Sequence, residues 1–406
     1  MSKGYISASK KPRDFEFVQA APAGALSTTA ADMTRFMLAY LQDGAVDGAP
    51  ILKPETVRQM ETRQFEFQPM LCGLGITFME YLIDPVRIIA HGGDTVYFHS
   101  DMILVPEAHF GYFLSYNSLG KDVGGGRTEV WRTFVNRYFP SAGQPKVDVD
   151  PNTAESDGRA VSGLYEGTRR GETTFLRILA LADQFKVGSD KEGVLEIEGM
   201  KNQSGQLKRW REIAPLVYRE IDGLEEIGFR RDPSGTVGEM LPFPAIYEGQ
   251  HVPWYASKTV IGLIIGGNLV LALLTVLLWP VAVIIRKRYQ RPLFSTKSDR
   301  VLYFLSRIVC LAQVFFVLAP ILVLSQGLQH IVILGDAINP WLQVFHLFGW
   351  PLMAGVVLLI IAAIRFARLP GLGLWFRAHA ILLAIGGIAF GLFAWQYHFL
   401  DSSLKF

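Results

Sequence analysis

Cysteine is scarce in this sequence of 406 residues, with Cys72 in a region of mixed polarity and Cys310 inside a long apolar run. A disulfide needs two Cα atoms within about 7 Å of each other. One thiol in water and one inside a membrane cannot meet that condition, so no intrachain disulfide is expected. The formal net charge is only +2, which gives no indication of nucleic-acid binding.

The first residues also lack an export signal. Residues 1–19 contain no apolar stretch of roughly 7 to 15 residues, which normally follows the charged start of such a signal. Either the first membrane helix directs export or the chain is a piece of a longer one. We expect the second, because a single downstream helix is poorly suited to exporting a domain of this size.

Long apolar runs, by contrast, fill the C-terminal part of the sequence. They lie at 260–285, 301–324, 342–364 and 378–400. Each exceeds the roughly 20 residues that a helix needs to cross a bilayer, and a helix satisfies its own backbone hydrogen bonds there. Residues 256–406 are therefore predicted to form an all-α bundle of four transmembrane helices, with membrane lipid as its partner.

The loops between these runs differ in charge. Residues 325–341 contain neither Lys nor Arg, whereas the first and third loops are basic. Their basic residues are Arg286, Lys287, Arg288, Arg291, Lys297 and Arg300, and then Arg365, Arg368 and Arg377. Because basic loops stay in the cytoplasm, we expect a multi-pass protein of the cytoplasmic (inner) membrane with residues 1–255 on its outer side, if they are exported.

Residues 1–139 have the pattern of an α+β block. Thr29 and Asp32 have the spacing of a capping box before an amphipathic helix, and Pro54 suits the first turn of a second helix. Alternating segments predict strands at 72–80, 86–95, 98–105 and 110–116, and a helix is predicted at 127–138.

The next two regions differ in composition. Residues 140–160 are rich in Pro, Ser, Gly and Asp and are interpreted as a linker. Residues 161–255 contain short apolar segments separated by turn residues, which predicts a small antiparallel β domain, with a partial barrel as one arrangement. The predicted strands include 175–179, 194–197, 216–221 and 226–229.

Five phrases of the α+β block occur in a characteristic order. They are AGALSTTAADM at 23–33, ILKPETV at 51–57, GLG at 73–75, HGG at 91–93 and SYNS at 115–118. This order closely resembles the C-terminal half of the serine β-lactamase and penicillin-binding-protein-like family. The resemblance covers about 4–139 and implies a partial β-lactamase-like domain.

The family acylates the serine of an S-x-x-K motif, handles protons with Y-x-N or S-x-N, and places K-[ST]-G or H-x-G on an edge strand against the substrate. The resemblance assigns this third role to His91, Gly92 and Gly93. It implies that His91 binds the carboxylate side of the substrate, and that the backbone N–H of Asp94 belongs to the oxyanion hole. An ordinary hairpin is the alternative interpretation of these residues.

The other two motifs are expected before residue 4 and do not occur there. Literal S-x-x-K matches at 7–10, 118–121 and 402–405 have unsuitable surroundings, and the S-x-N at 115–117 follows the H-G-G phrase instead of preceding it. Without a nucleophile and a base, we expect no acyl-transfer turnover by this chain alone. We also expect exposed apolar surface on the block, suited to a separately encoded N-terminal half.

Few side chains suggest a metal or a cofactor, and none is predicted. His91, His99 and Asp101 are close in sequence, but the pleat of a hairpin directs them apart, which disfavours a metal site.

Polar residues also occur within the predicted bundle. Asn268 and Gln313 are expected to form a hydrogen bond between helices. Histidines 330, 346 and 398 are expected to be solvated near the outer interface.

Two function classes follow. The first is a fragment of a membrane-anchored serine hydrolase of the β-lactamase, D-Ala-D-Ala peptidase or esterase class, acting on peptidoglycan peptides, β-lactams or esters and inactive alone. The second is a noncatalytic membrane protein that binds or signals. An upstream reading frame with S-x-x-K and Y-x-N would favour the first, and an independent start at Met1 would favour the second.

Overall fold

The computed structural model describes residues 2–6, 11–18, 23–83, 86–118, 125–140, 149–202, 204–221, 223, 225–241, 246, 248–290, 293–327 and 339–401. The chain divides into two compact units. The first comprises Met1–Thr168 and Phe185–His251, and the second comprises Arg169–Gln184 and Val252–Phe406.

The first unit begins with the predicted α+β block. Its elements are α1 (Ala30–Leu41), β1 (Ala45–Val46), β2 (Ala49–Pro50), α2 (Pro54–Glu61), β3 (Met79–Ile83), β4 (Val86–Asp94), β5 (His99–Val105), β6 (Phe110–Tyr116) and α3 (Gly125–Tyr138). Strands β3, β4, β5 and β6 form one antiparallel sheet in that order. The predicted capping box is confirmed, since Thr29 and Asp32 each bond the other's backbone N–H at the start of α1.

The strand predicted at 72–80 is wrong over most of its length, because β3 starts only at Met79. Thr77 has a φ of 74°, a left-handed conformation that interrupts an extended strand. Residues before it make isolated bridges, such as Phe65 with Leu74.

Alternation along the strands gives the sheet two covered faces. One face packs Ile89, Met102 and Leu104 against α1 and α2. The opposite face packs Ile88 and Ile103, among others, against α3. Neighbouring residues of β4 therefore face different helices.

The second part of the first unit is a closed antiparallel barrel of eight strands, more complete than the predicted partial barrel. Its strands are β7 (Gly163–Gly167), β8 (Phe185–Ser189), β9 (Leu195–Lys201), β10 (Leu207–Ala214), β11 (Val217–Glu220), β12 (Glu226–Arg231), β13 (Val237–Leu241) and β14 (Gly249–His251). Buried aromatic rings, among them Trp210, Tyr218 and Phe229, fill its interior. The barrel is an architecture separate from a β-lactamase fold.

Two segments differ from their sequence predictions. Part of the predicted linker is helix α4 (Pro151–Val161), whose N-terminus is capped by the Asp150 carboxylate. The strand predicted at 175–179 is wrong, because Phe175–Leu181 forms a 3-10 helix in the second unit. Its apolar residues Phe175, Ile178 and Leu181 recur every third position, the period of a 3-10 helix, and pack against the core of the bundle.

The second unit is the predicted helical bundle. Its helices are α5 (Lys258–Arg288), α6 (Lys297–Gly327), α7 (Asn339–Arg368) and α8 (Leu374–Gln396). All four contain a segment long and apolar enough to span a membrane. Asn268 Nδ2 lies 3.5 Å from Gln313 Oε1, which confirms the predicted contact between α5 and α6.

Candidate functional site

The His91–Asp94 segment forms the end of β4, and it extends past its neighbour β3. The register of the two strands ends with Met79 opposite Ala90, whereas on the other side β5 accompanies β4 as far as Asp94 opposite His99. Within the described ranges, no strand pairs with the other side of β4 beyond Ala90. One edge of this segment is therefore open.

The hairpin turn shows which backbone groups face that open edge. The Thr95 N–H donates to the Phe98 carbonyl at 2.9 Å. In an antiparallel pair, the backbone groups of successive residues point alternately towards and away from the partner strand. The N–H and C=O groups of Gly92 and Asp94 consequently point away from β5, where an extended ligand could pair with them.

The two glycines of this segment have different surroundings. A Cβ on Gly92 would lie 3.1 Å from Asp101 Oδ1, whereas a Cβ on Gly93 would have no neighbour within 4 Å. The missing Cβ of Gly92 therefore leaves room for the Asp101 side chain. Gly93 leaves free space on the sheet face that His91 shares, because the two residues are two positions apart in the strand.

The structure does not bring the side chains of His91 and Asp94 together, since they project from opposite faces of the sheet. His91 is exposed on the face of α1 and α2. Asp94, His99 and Asp101 belong to the face of α3, so the expectation that the hairpin histidines diverge is confirmed. Only the backbone of Asp94 shares the open edge with the H-G-G phrase.

On the α3 face lies a charged cluster that the sequence did not indicate. Arg127 of α3 donates to Asp94 Oδ2 at 2.8 Å, and its Nε lies 3.5 Å from Asp101 Oδ1. The same guanidinium donates to the carbonyls of Gly93 and Ser100. Asp94 Oδ1 also lies 2.6 Å from Nδ1 of the buried His99. One cation thus binds both strands of the hairpin beside the open edge.

The two carboxylates of this cluster respond differently to their surroundings. Burial by itself would raise the pKa of Asp94, but the hydrogen bonds from Arg127 and His99 outweigh burial and hold that pKa below its ordinary value. Burial raises the pKa of Asp101 to about 6, although the Arg127 charge opposes it. The ionised Asp94 therefore anchors the hairpin in position, a structural role beside the edge.

The literal S-x-N of β6 also has structural partners. Ser115 Oγ accepts a hydrogen bond from Ser100 Oγ at 2.8 Å, and Asn117 Nδ2 donates to the Lys3 carbonyl at 2.9 Å. These contacts join β6 to β5 and to the N-terminal segment. They support the interpretation of this motif as ordinary strand residues.

Possible metal ligands are dispersed. Among the described residues, no group of three His, Cys, Asp or Glu side chains could hold a metal ion.

The solvated interfacial position expected for His346 is wrong, because this ring is buried in the bundle. Its Nδ1 lies 3.1 Å from the Phe399 carbonyl, and Phe175 of the 3-10 helix covers it with ring centroids 5.6 Å apart. His398 is partly exposed and lies 2.6 Å from the Asp401 carboxylate. His330 lies outside the described residues.

No family model matches the sequence, and no curated protein sequence is similar to it. Solved structures with a distant likeness include a crystal structure of SurE, with 16% identity and a TM-score of 0.38 over 62% of this chain and 56% of that one. SurE with D-Leu gives 16% and 0.30, over 50% and 44% of the two chains.

A further distant neighbour is the octameric penicillin-binding protein homologue from Pyrococcus abyssi. It has 14% identity and a TM-score of 0.24, over 55% of this chain and 46% of that one. The chain thus spans about half the length of the structures it matches. Likenesses this distant do not indicate an activity for this chain.

Proposed function

We propose that this chain is the substrate-side portion of a membrane-anchored serine hydrolase of the β-lactamase, D-Ala-D-Ala peptidase or esterase class. The single observation that supports this most is the open edge of β4, where Gly92 and Asp94 present backbone groups beside the free space at Gly93. The motif resemblance assigns a substrate to the same residues. Peptidoglycan peptides, β-lactams or esters outside the cytoplasmic membrane are the proposed substrates.

We assign each residue a role from the open edge of β4 and from the motif resemblance. An extended acyl substrate would pair with the edge of β4, and the Asp94 N–H would donate to the oxygen on which negative charge develops. His91, exposed on the neighbouring face, would bind the substrate carboxylate. Arg127 would hold the hairpin rigid through Asp94 and through the Gly93 carbonyl.

The nucleophile and the base would come from S-x-x-K and Y-x-N motifs outside the residues of this sequence, either in a longer form of this chain or in a separately encoded N-terminal half. Large apolar side chains of the first unit, such as Phe15, Phe17 and Leu26, are exposed and are compatible with such a partner. The chain alone would then have no turnover, because an oxyanion donor without a nucleophile has nothing to stabilise.

The test is to label the membrane-expressed chain with a fluorescent penicillin or a fluorophosphonate, alone and with the N-terminal half co-expressed. We expect no label on this chain alone, and a label on the partner when both are present. Gly93→Ala should lower the rate of partner labelling roughly 10- to 100-fold, because a methyl group there displaces the substrate. The matched control is Gly188→Ala in β8, where a Cβ meets only an atom at 4.0 Å.

Three results would count against the proposal. Labelling of this chain alone would show that it contains a nucleophile. If Gly93→Ala and Gly188→Ala lowered the rate of partner labelling equally, the edge of β4 would not be part of the site. The absence of label in both preparations would favour the noncatalytic alternative, a membrane protein that binds or signals.

A further inference from the structure

Basic and acidic residues are unevenly distributed in the membrane bundle. From Lys258 to the C-terminus, the acidic residues are Asp299, Asp336 and Asp401, and no glutamate occurs. The basic residues of the same region far outnumber them and concentrate at one end of the helices. A buried cation in an apolar bundle is stabilised only when an anion or several hydrogen bonds accompany it.

Two of these carboxylates, Asp299 and Asp401, lie in the described part of the chain, and both have partners other than the two arginines described below. Asp299 is bound at both oxygens by Arg365, at 2.8 and 3.2 Å, and accepts a further bond from Thr296. Asp401 contacts His398, and Asp336 lies outside the described residues.

Arg307 is the most deeply placed of these cations. Its residue is 6% exposed, and its guanidinium carbon lies 3.4 Å from the centroid of the Tyr303 ring. One nitrogen donates to the Tyr303 carbonyl at 3.4 Å, and Nε has no partner in the part of the chain that the structure describes. A stacked ring compensates only part of the desolvation of a guanidinium.

A second arginine approaches the same ring from another helix. Arg286 of α5 lies 5.3 Å from the Tyr303 centroid and donates to the Tyr303 hydroxyl at 3.2 Å. Phe376 of α8 packs against this ring, with centroids 6.1 Å apart. Residues of three helices thus surround Tyr303, and two of these residues are arginines. No described carboxylate lies between the two guanidinium groups. Two like charges in contact with the same ring repel each other, and an anion bound beside both would offset that repulsion.

We infer that Arg286 and Arg307 together bind a phosphate-bearing anion, and that the headgroup of an anionic membrane lipid supplies the phosphate. The position of Arg307 indicates this source. Its Cα lies six residues beyond Val301, where the apolar run begins, which is about 9 Å at 1.5 Å per residue. The side chain reaches back to the Tyr303 ring, about 3 Å beyond the start of the run, which places its guanidinium near the boundary between the apolar core and the lipid headgroups. Basic pockets between helices commonly bind such headgroups.

The experiment compares the full chain, purified in phosphatidylcholine nanodiscs, with the same chain in nanodiscs that also contain phosphatidylglycerol. Thermal unfolding and native mass spectrometry would measure stabilisation and bound lipid. A third sample, in phosphatidylcholine with inorganic phosphate added, separates a lipid source from free phosphate. The variant is Arg307→Met, which replaces the guanidinium with a flexible, unbranched apolar side chain, and the matched control is Arg288→Gln, which removes an exposed charge at the same end of α5.

We expect phosphatidylglycerol to raise the Tm of the wild type and of Arg288→Gln, and to remain bound to both in the mass spectrometer. Arg307→Met should fold in phosphatidylcholine, because it removes a buried charge, and should retain phosphatidylglycerol roughly tenfold less. An equal response of wild type and Arg307→Met, or no response of the wild type, would overturn the inference. An equal Tm increase with inorganic phosphate alone would overturn the lipid source. If Arg307→Met does not fold, Arg286→Gln, at the half-exposed end of the site, provides the same comparison.

Discussion

The α+β block and the region of the bundle around Tyr303 treat charge in opposite ways. In the first unit, Glu80 is buried between Arg63 and Arg87, and Arg127 is placed between Asp94 and Asp101. In the bundle, Arg286 and Arg307 surround a tyrosine ring without a described carboxylate. The α+β block therefore neutralises these charges within the chain, whereas the region around Tyr303 depends on a group from outside it.

This difference has a physical origin in the two solvents. A water-exposed unit can pair each buried carboxylate with an arginine whose far side remains hydrated, as Arg63 and Arg87 do. A bundle in lipid has no water on its flanks, but at its ends it meets charged headgroups. An arginine near a helix end can then use a headgroup where a soluble domain uses a carboxylate.

We expect the largest effect from removing a paired, buried charge of the α+β block. Glu80→Gln removes the charge that Arg63 Nε and Arg87 Nε contact at 2.7 and 2.8 Å, and it leaves two guanidinium groups facing each other. We expect a loss of about 3 kcal/mol in the stability of the β3–β4 hairpin, since breaking a buried pair leaves an uncompensated charge. Hydrogen exchange of the β3 and β4 amides would measure it.

The control for this prediction is Glu66→Gln, because Glu66 is a more exposed partner of Arg63 at 3.4 Å. It should change the same exchange rates by less than about 0.5 kcal/mol. Lowering the pH should destabilise the β3–β4 hairpin, as Glu80→Gln does. Burial alone would raise the pKa of Glu80, but Arg87, the Gly73 N–H and Arg63 together lower it. Its contribution is therefore present above the ordinary glutamate pKa and is lost as the pH falls below that range.

A smaller effect, of opposite sign, should come from a carboxylate in the first unit that lacks an arginine partner. Burial raises the pKa of Glu212 in the barrel to about 7, although the Leu216 N–H opposes this and the Asp157 carboxylate adds to it. A raised pKa means that the folded barrel holds the proton more tightly than the unfolded chain. Its stability should therefore fall as the pH rises from about 4.5 to about 7.

Glu212→Gln should remove this dependence and stabilise the barrel above pH 7 by roughly 3 kcal/mol, since each pKa unit corresponds to about 1.4 kcal/mol. Thermal unfolding of the full chain in detergent at pH 5 and pH 8 would measure it, with the exposed strand residue Glu196→Gln as control. A destabilised Glu212→Gln at pH 8 would show that this carboxylate is ionised and favourably bound, as Glu80 is.

The smallest effect should come from the uncharged polar pair of the bundle. Asn268→Ala and Gln313→Ala should each destabilise the α5–α6 contact, with a coupling of about 0.6 kcal/mol in a double-mutant cycle. The bond is long, at 3.5 Å, so the coupling should be small, and a coupling indistinguishable from zero would show that the two side chains do not bond each other. The control pairs Asn268→Ala with Ser306→Ala, whose hydroxyl bonds only its own helix, and these two should be additive.

The candidate site was predictable in part. The motif order placed His91, Gly92, Gly93 and Asp94 on a strand, and β4 includes all four. The participation of Arg127 was not predictable, because it reaches Asp94 across a separation of 33 residues. A strand pattern states which residues alternate, but it does not state which helix covers each face.

The sequence by itself determined the elements whose pattern repeats over a few residues. These are the four apolar helices, the capped helix α1 and the strands of the β4–β5 hairpin. Only the tertiary structure decided the closure of the barrel, the burial of His346 under Phe175, and the meeting of Arg286 and Arg307 at Tyr303. The reason is physical: helical and strand periods are properties of neighbouring residues, whereas closure, burial and charge pairing depend on contacts between residues far apart in the chain.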